Sequence, residues 1–272
     1  MQTHTVDIPV TSYQHDAVVS VVHLGDEHVG GDIDEELLRQ WITRIAEDPN
    51  CYWVTTGDAL DAIFRNDPRF EANKFPAWFT VSMLGNPAKY QIQHYTELFS
   101  PIAHQCLGTV AGNHEFSTSK AYERDLYTEL WDAVGVPVVR RLYVGGFIRL
   151  RFTIKDKVIW RPVVFAHHGT ANGGTPAAIT NQLRLLPKSY VADAYLVGHA
   201  HKRVGFKDVQ LQLDAHTDTI LRRTVAYSCT GGFLRNVSTN GSYAERKLLN
   251  PQDIGPVVLH FYPWQRDISL VL

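Results

Sequence analysis

Cysteine is scarce in this chain. Cys51, Cys106 and Cys229 are few, scattered and odd in number. A disulfide framework is excluded, and free buried thiols in a reducing compartment are expected, with the cytoplasm as the default location. Long hydrophobic runs are missing too. None approaches the roughly 20 apolar residues of a membrane span, so no membrane partner is expected. Met1 to Asp7 has neither a basic stretch nor an apolar one, which speaks against a signal peptide. Nor is there an excess of either charge: the net charge is -2. That excludes a protein that coats nucleic acid with a wholly basic surface, but leaves room for a local basic groove. There is no repeat, low-complexity tract or Pro/Gly/Ser linker, so residues 1–272 are expected to form one domain. What remains is an ordinary globular composition, 44% hydrophobic and 20% charged, in a chain long enough for a large core.

The hydrophobic pattern alternates between strand and helix. Ala17 to Val22 is β-branched and apolar, as a buried strand is. Leu37, Leu38, Trp41, Ile42 and Ile45 have helical spacing within Asp34 to Ala46, with Asp34 placed to cap. Tyr52 to Thr56 and Leu107 to Val110 read as strands, and Tyr90 to Phe99 as a helix. Ala121 to Val134 reads as a helix closed by Gly135. The second half is richer in strands: Val138 to Val144, Phe147 to Ile154, Val158 to Ala166, Ala194 to Val197, Thr219 to Cys229 and Val257 to Tyr262, with a helix at Ala177 to Leu186. The expected class is α/β, a four-layer sandwich of two packed mixed β-sheets flanked by helices. Residues 62–88 fit no clear element. With Phe70, Phe75, Trp78 and Phe79 they are too aromatic for disorder, and they read as a folded insertion beside the second motif, with a substrate role and a packing role equally open.

Five short stretches carry metal-ligand residue types. They are Asp26-Glu27-His28, Gly57-Asp58, Gly112-Asn113-His114-Glu115, His167-His168-Gly169 and Gly198-His199-Ala200-His201. On an extended backbone residues i and i+2 point the same way, so Asp26 with His28, and His199 with His201, would share a side. Each stretch follows a predicted strand, where α/β folds place ligands. Any one of them is weak, because a lone histidine is more often packed than ligating. Five in this order, all at strand ends, make coincidence a poor account.

The series D-x-H, G-D-x-x-D, G-N-H-E, H, G-H-x-H resembles the calcineurin-like metallophosphoesterase superfamily over residues 26–201. The tail, Thr230-Gly231-Gly232-Phe233-Leu234, then Ser242 to Lys247, then Gly255-Pro256, is similar to a branch found in bacteriophage and bacterial genomes. The resemblance implies two divalent metal ions. Asp26, His28, Asp58 and His201 would hold the first, and Asp58, Asn113, His167 and His199 the second. Asp58 would bridge them, since a shared carboxylate makes two dications about 3.5–4 Å apart tolerable. His114 resembles the family's non-ligand histidine, which aids the leaving oxygen, and Asp61 the carboxylate that orients it. Of the two neighbours the pattern favours His167 over His168, which would face substrate or fill space. His23 and His94 read as structural, and Glu27 as pointing away from the ligands. Oxygen and nitrogen donors suit Mn, Fe, Zn, Co or Ni, with Mn favoured.

The expected chemistry is hydrolysis of a phosphate ester by metal-activated hydroxide. Ser/Thr protein phosphatases carry G-D-x-x-D-R-G. Here Asp61 is followed by Ala62-Ile63-Phe64, so the arginine that grips a terminal phosphate is missing, and Arg65 is the nearest substitute. That favours a phosphodiesterase, with DNA or RNA as one candidate substrate. The alternative is a phosphomonoesterase acting on phosphoprotein or a small metabolite. A silent scaffold is a third reading, but such relatives lose ligands and this chain keeps them. Arg140, Arg141, Arg149, Arg151, Lys155, Lys157 and Arg161 form a basic run. It reads either as a track for a nucleic-acid backbone or as a sheet edge protected by charge.

Overall fold

The computed structural model describes the chain apart from residues 11–16, 64–66, 68–69, 71–74, 123, 171–174, 215–216, 239–240, 243–244, 246–247 and 249, and the side chains of 119–122. Arg65 and much of the 62–88 segment and of the 242–247 motif thus lie outside the described residues. The elements run β1 (Gln2–Pro9), β2 (Val19–Leu24), α1 (Glu35–Glu47), β3 (Cys51–Thr55), α2 (Pro87–Phe99), β4 (Cys106–Val110), α3 (Asn113–Tyr122), α4 (Leu126–Val134), β5 (Arg141–Tyr143) and β6 (Gly145–Ile154). They continue with β7 (Lys157–Trp160), β8 (Val163–His167), α5 (Pro176–Leu183), β9 (Ala194–Val197), β10 (Val204–Leu213), β11 (Ile220–Cys229), β12 (Val257–Tyr262) and β13 (Asp267–Val271).

Two mixed sheets result. One has the order β1-β6-β8-β9-β11-β10, with β7 also paired to β6, and the other β13-β12-β2-β3-β4-β5. Strand β2 shows why they stack. Val19 and Val21 face the space between the sheets, while Val22 and Leu24 face the helices. A strand covered on both faces must be apolar nearly throughout. Between the sheets pack Ile8, Val54, Ile148, Leu150, Phe152, Leu196 and Phe261. On the far side of the second sheet Leu38, Ile42, Tyr95, Phe99 and Trp131 from α1, α2 and α4 close over Trp53. On the far side of the first, Ile179 and Leu183 of α5 cover Phe165 and Tyr195. The order is helices, sheet, sheet, helix: an α/β sandwich of four layers. Each large side chain buried this way contributes about 1.5–3 kcal/mol.

Local signals set most boundaries. Asp34 caps α1 by accepting from Leu37 N–H at 3.0 Å. Gly135 ends α4 at φ +88°. The segment 121–134 is not one helix, however: α3 ends at Tyr122 and α4 starts afresh behind Asp125, which accepts from Thr128 N–H at 3.0 Å. Residues 158–166 are not one strand, because Pro162 separates β7 from β8 and lends its carbonyl to Leu150 N–H at 2.9 Å. Pro137 likewise leads into a 3-10 turn at Val138–Arg140 before the short β5. Strands β1, β10 and β13 have no counterpart among the expected elements. Trp78, in the 62–88 segment, stacks on His94 at 4.2 Å and donates its indole N–H to Glu35. No helix among the described residues is long and apolar enough to cross a membrane.

Candidate metal centre

The parallel strands of the two sheets deliver their C-terminal ends to one rim. The loops there are not extended. Asp26 (φ +52°), His28 (φ +44°), Asp58 (φ +54°), His199 (φ +68°) and His201 (φ +49°) all sit in the left-handed region. Non-glycine residues rarely adopt it, and such strain gathers where surrounding structure enforces it for function. The D-x-H and H-x-H pairs therefore reach a common side through repeated left-handed turns rather than by strand alternation. Cross-links between loops enforce this. Asp26 N–H donates to the Gly57 carbonyl (2.8 Å) and His28 N–H to the Asp58 carbonyl (2.9 Å). Gly57 has φ +98°, and a Cβ there would lie 2.5 Å from the Gly112 nitrogen; one on Gly112 would lie 2.0 Å from Asp58 Oδ1. The second and third motifs interlock at these two glycines.

Most of the expected site residues converge. His28 Nε2 and His201 Nε2 are 3.3 Å apart, with Asp26 Oδ1 3.6 Å from the latter. Asp58 Oδ2 lies 3.9 Å from His28 Nε2 and 3.3 Å from His168 Nε2. His199 Nδ1 is 2.9 Å from Asn113 Oδ1 and 3.2 Å from His168 Nε2, and His168 Nε2 is 3.0 Å from Asn113 Oδ1. Two donor groups thus face each other across Asp58: Asp26, His28 and His201 on one side, Asn113, His168 and His199 on the other.

His168, not His167, completes the second group. Alternation along β8 puts His167 on the same face as Phe165, with the two rings nearly parallel at 6.3 Å, the face that α5 covers. One residue further, His168 turns inward and is fixed by its Nδ1 on the Thr56 carbonyl at 2.7 Å. His114, near the start of α3, donates its backbone N–H to Asp58 Oδ1 at 2.9 Å, and its ring lies 4.6 Å from that of His28. Its Nδ1 meets the backbone carbonyl of Asp61. A carbonyl only accepts, so Nδ1 carries hydrogen and Nε2 is left for chemistry. The main chain of Asp61 thus meets the His114 ring. The Asp61 carboxylate lies 3.8 Å from His28 Nδ1. His23 is bracketed by Ser228 Oγ (2.6 Å) and Thr56 Oγ1 (3.0 Å), and Glu27 points into the core to accept from Thr55 Oγ1 (2.8 Å).

The electrostatics fit a cation. Burial pushes the Asp26 carboxyl up to about 8, the His168 ring offsetting part of the effect. Burial also opposes ionisation of Asp58, but His168, His28 and His114 outweigh it and hold the group well below the usual carboxylate range. Burial works against a charged His168 as well, yet the Asp58 carboxylate prevails and raises it to about 9. His28, His199 and His201 are shifted down, chiefly by burial, the last to about 4. Neutral imidazole is the ligating form. Buried carboxylates, neutral imidazole nitrogens turned toward one another and an amide oxygen make a donor set for borderline divalent ions.

One supporting residue carried no assigned role in the sequence. Glu115 is buried and accepts from Gly112 N–H (2.8 Å), Asp58 N–H (3.2 Å) and Leu60 N–H (3.2 Å). It ties the second motif to the third. A glutamate right after Asn-His was the available signal, but three backbone partners are visible only in the fold. The tail motif also reaches the site: Phe233 N–H donates to the Asp26 carbonyl at 3.2 Å and Asp34 N–H to the Phe233 carbonyl at 2.8 Å.

Sheets stacked in this way, with Asp, Asn and His donors gathered at their common rim, define a class of metal-dependent phosphoester hydrolase. The chain belongs to the calcineurin-like phosphoesterase family, whose model matches residues 19–203. No curated protein gives a match. Among solved structures the chain is similar to a conserved protein of Streptococcus pneumoniae TIGR4 described as a predicted phosphoesterase (10% identity, TM-score 0.36, covering 90% of this chain and 83% of that one). It is also similar to GAP50, described as the anchor in the inner membrane complex of Plasmodium (13% identity, TM-score 0.44, 90% and 81%).

Proposed function

We propose that the chain is a phosphodiesterase carrying two divalent ions, manganese favoured, and acting from a single domain. The observation that carries the reading is the placement of Asp58 between two facing donor groups. Asp26, His28, Asp58 and His201 would hold one ion; Asp58, Asn113, His168 and His199 would hold the other. When bound, the ions supply Lewis acidity, neutralising charge on the phosphoryl oxygens and acidifying water.

The protein's own groups do the rest. Asp58 sets the separation of the two sides. His114, with Nδ1–H fixed on the Asp61 carbonyl, would give up the second proton of its doubly protonated ring from Nε2 to the departing alkoxide and return to the neutral Nδ1–H form, an assistance of about 10²–10⁴ in rate. Glu115 holds the loops that carry Asp58 and Asn113. Preference for a diester is supported at Ala62, which stands where protein phosphatases have an arginine. It is buried at φ +46°, with its N–H on Gln91 Oε1 at 3.1 Å, and brings no guanidinium to a terminal phosphate.

The test is the ratio of turnover on bis(p-nitrophenyl) phosphate to that on the mono ester with Mn²⁺, followed by single-stranded and duplex nucleic acid. A diester excess is expected. Strong monoesterase turnover with no action on nucleic acid reverses the assignment.

A further inference from the structure

A second basic feature lies away from the metal centre. Arg149 and Arg151 are on β6, on the face of the first sheet turned from the second. Register places Thr5 of β1 beside Arg149 and Asp7 beside Arg151. Val163 of β8 flanks Arg149 on the other side, and the hydrogen bond from Leu150 to Pro162 brings Arg161 alongside Arg151. Thr5, Arg149, Arg151 and Arg161 line a cavity of about 390 Å³, within the range of small-ligand sites.

The charges there do not balance. Asp7 engages Arg151 through both carboxylate oxygens, Nη2 to Oδ2 at 2.6 Å and Nε to Oδ1. Among the described residues Arg149 and Arg161 have no carboxylate partner. Like charges side by side on neighbouring strands are unfavourable. Protection of a sheet edge does not account for Arg149, since β1 is the edge and β6 lies inside it. Guanidinium forks around a cavity with a hydroxyl on its wall suit a phosphate group, which accepts paired N–H donors.

Strand β6 begins at Gly145, opposite His167 at the rim. Four to six residues further on, at ~3.3 Å each, Arg149 and Arg151 stand about 13–20 Å along the strand from that rim position. We infer that this cleft binds a phosphate group remote from the ester that is cleaved. The inference rests on the phosphoesterase reading only for its choice of anion. The phosphate comes either from a nucleic-acid backbone or from a free polyphosphate.

The test compares the full-length, metal-loaded protein with the double variant R149A/R161A and, separately, with Thr5→Asp, which adds a negative charge to the wall at an exposed position. Probes are a nuclease-resistant phosphorothioate single strand and inorganic pyrophosphate. Both variants are expected to bind at least one probe about tenfold more weakly or worse, with turnover of bis(p-nitrophenyl) phosphate unchanged. Loss confined to the oligonucleotide identifies a backbone, and a flatter salt dependence accompanies it. Loss confined to pyrophosphate identifies the free anion. Wild-type binding of both probes by either variant, no binding by the wild type, or a parallel fall in diester turnover overturns the inference. Absence of wild-type turnover on either model ester is read separately and counts against the phosphoesterase reading instead.

Discussion

Asp58 is the residue on which the two donor groups depend. It is nearly fully buried, its Oδ1 is taken by His114 N–H, and its Oδ2 faces His28 and His168. Asp58→Asn keeps the shape and removes the charge, so metal-dependent turnover is expected to fall by at least about 10²-fold, in a steady-state assay across Mn²⁺ concentrations. Wild-type turnover in that variant would remove the bridging role. His114→Ala is expected to lower turnover by about 10²–10⁴-fold while elemental analysis still finds both ions; loss of the ions would make His114 a ligand. The pair His167 and His168 separates cleanly. His168→Ala should bind one ion fewer, and His167→Ala should bind both, as read by isothermal titration. The opposite pattern would return the ligand role to His167. The sequence favoured His167 whereas the fold brings His168 beside Asp58 and His199, because a one-residue shift reverses the facing of every side chain on a strand, and the end of β8 was not fixed by its residues alone. Residue types pointed to the other residues that the fold gathers at this rim because aspartate, asparagine and histidine on glycine-led turns have little packing purpose.

The elements show what pattern reading reaches and where it stops. Strands β2, β3, β4, β9 and β12 were legible because continuous β-branched and apolar runs have one physical use, burial on both faces, and β11 was legible from its buried second half, Val225 to Cys229. Strand β1, Gln-Thr-His-Thr-Val-Asp-Ile-Pro, buries only alternate residues at an edge, and the outer half of β10 is exposed. Neither offers a strong apolar signal, and both are strands through pairing with β6 and β11. The site loops were out of reach for a different reason: left-handed φ at five ligand-type residues is imposed by cross-loop hydrogen bonds between distant segments. Gly57 is where this imposition can be measured. Gly57→Ala forces a left-handed alanine against the Gly112 backbone and should cost about 1–3 kcal/mol, with weaker metal binding because Asp58 is displaced. Gly135 has a similar φ of +88°, but a Cβ added there would meet nothing within 4 Å. Gly135→Ala should cost about 1 kcal/mol and leave metal binding alone. Urea denaturation with metal titration distinguishes the two, and equal effects on metal binding would sever the interlock from the site.

At the scale of the whole molecule, the two sheets share an apolar interior but meet at their rim through polar groups. Asp26 and His28 follow β2 and Asp58 follows β3 of one sheet, while His168, His199 and His201 follow β8 and β9 of the other. Ions held there would join the sheets where apolar packing gives out. Stripped of ions, the rim keeps two buried carboxylates, with a charged His168 as the near compensation for Asp58. Ligand linkage puts a size on the difference: an ion present at a hundred times its dissociation constant stabilises by about 2.7 kcal/mol per site. For a chain of this length each kcal/mol moves the melting temperature by about 2–4 °C. Chelation of two such ions is therefore expected to lower it by about 11–22 °C, and added Mn²⁺ to restore it in step with activity. The substitution His201→Ala should abolish much of that response. If melting is indifferent to chelator while Mn²⁺ still supports turnover, the ions bind too weakly to join the sheets. The rim would then be held by its cross-loop hydrogen bonds, Asp26 to Gly57 and His28 to Asp58 foremost.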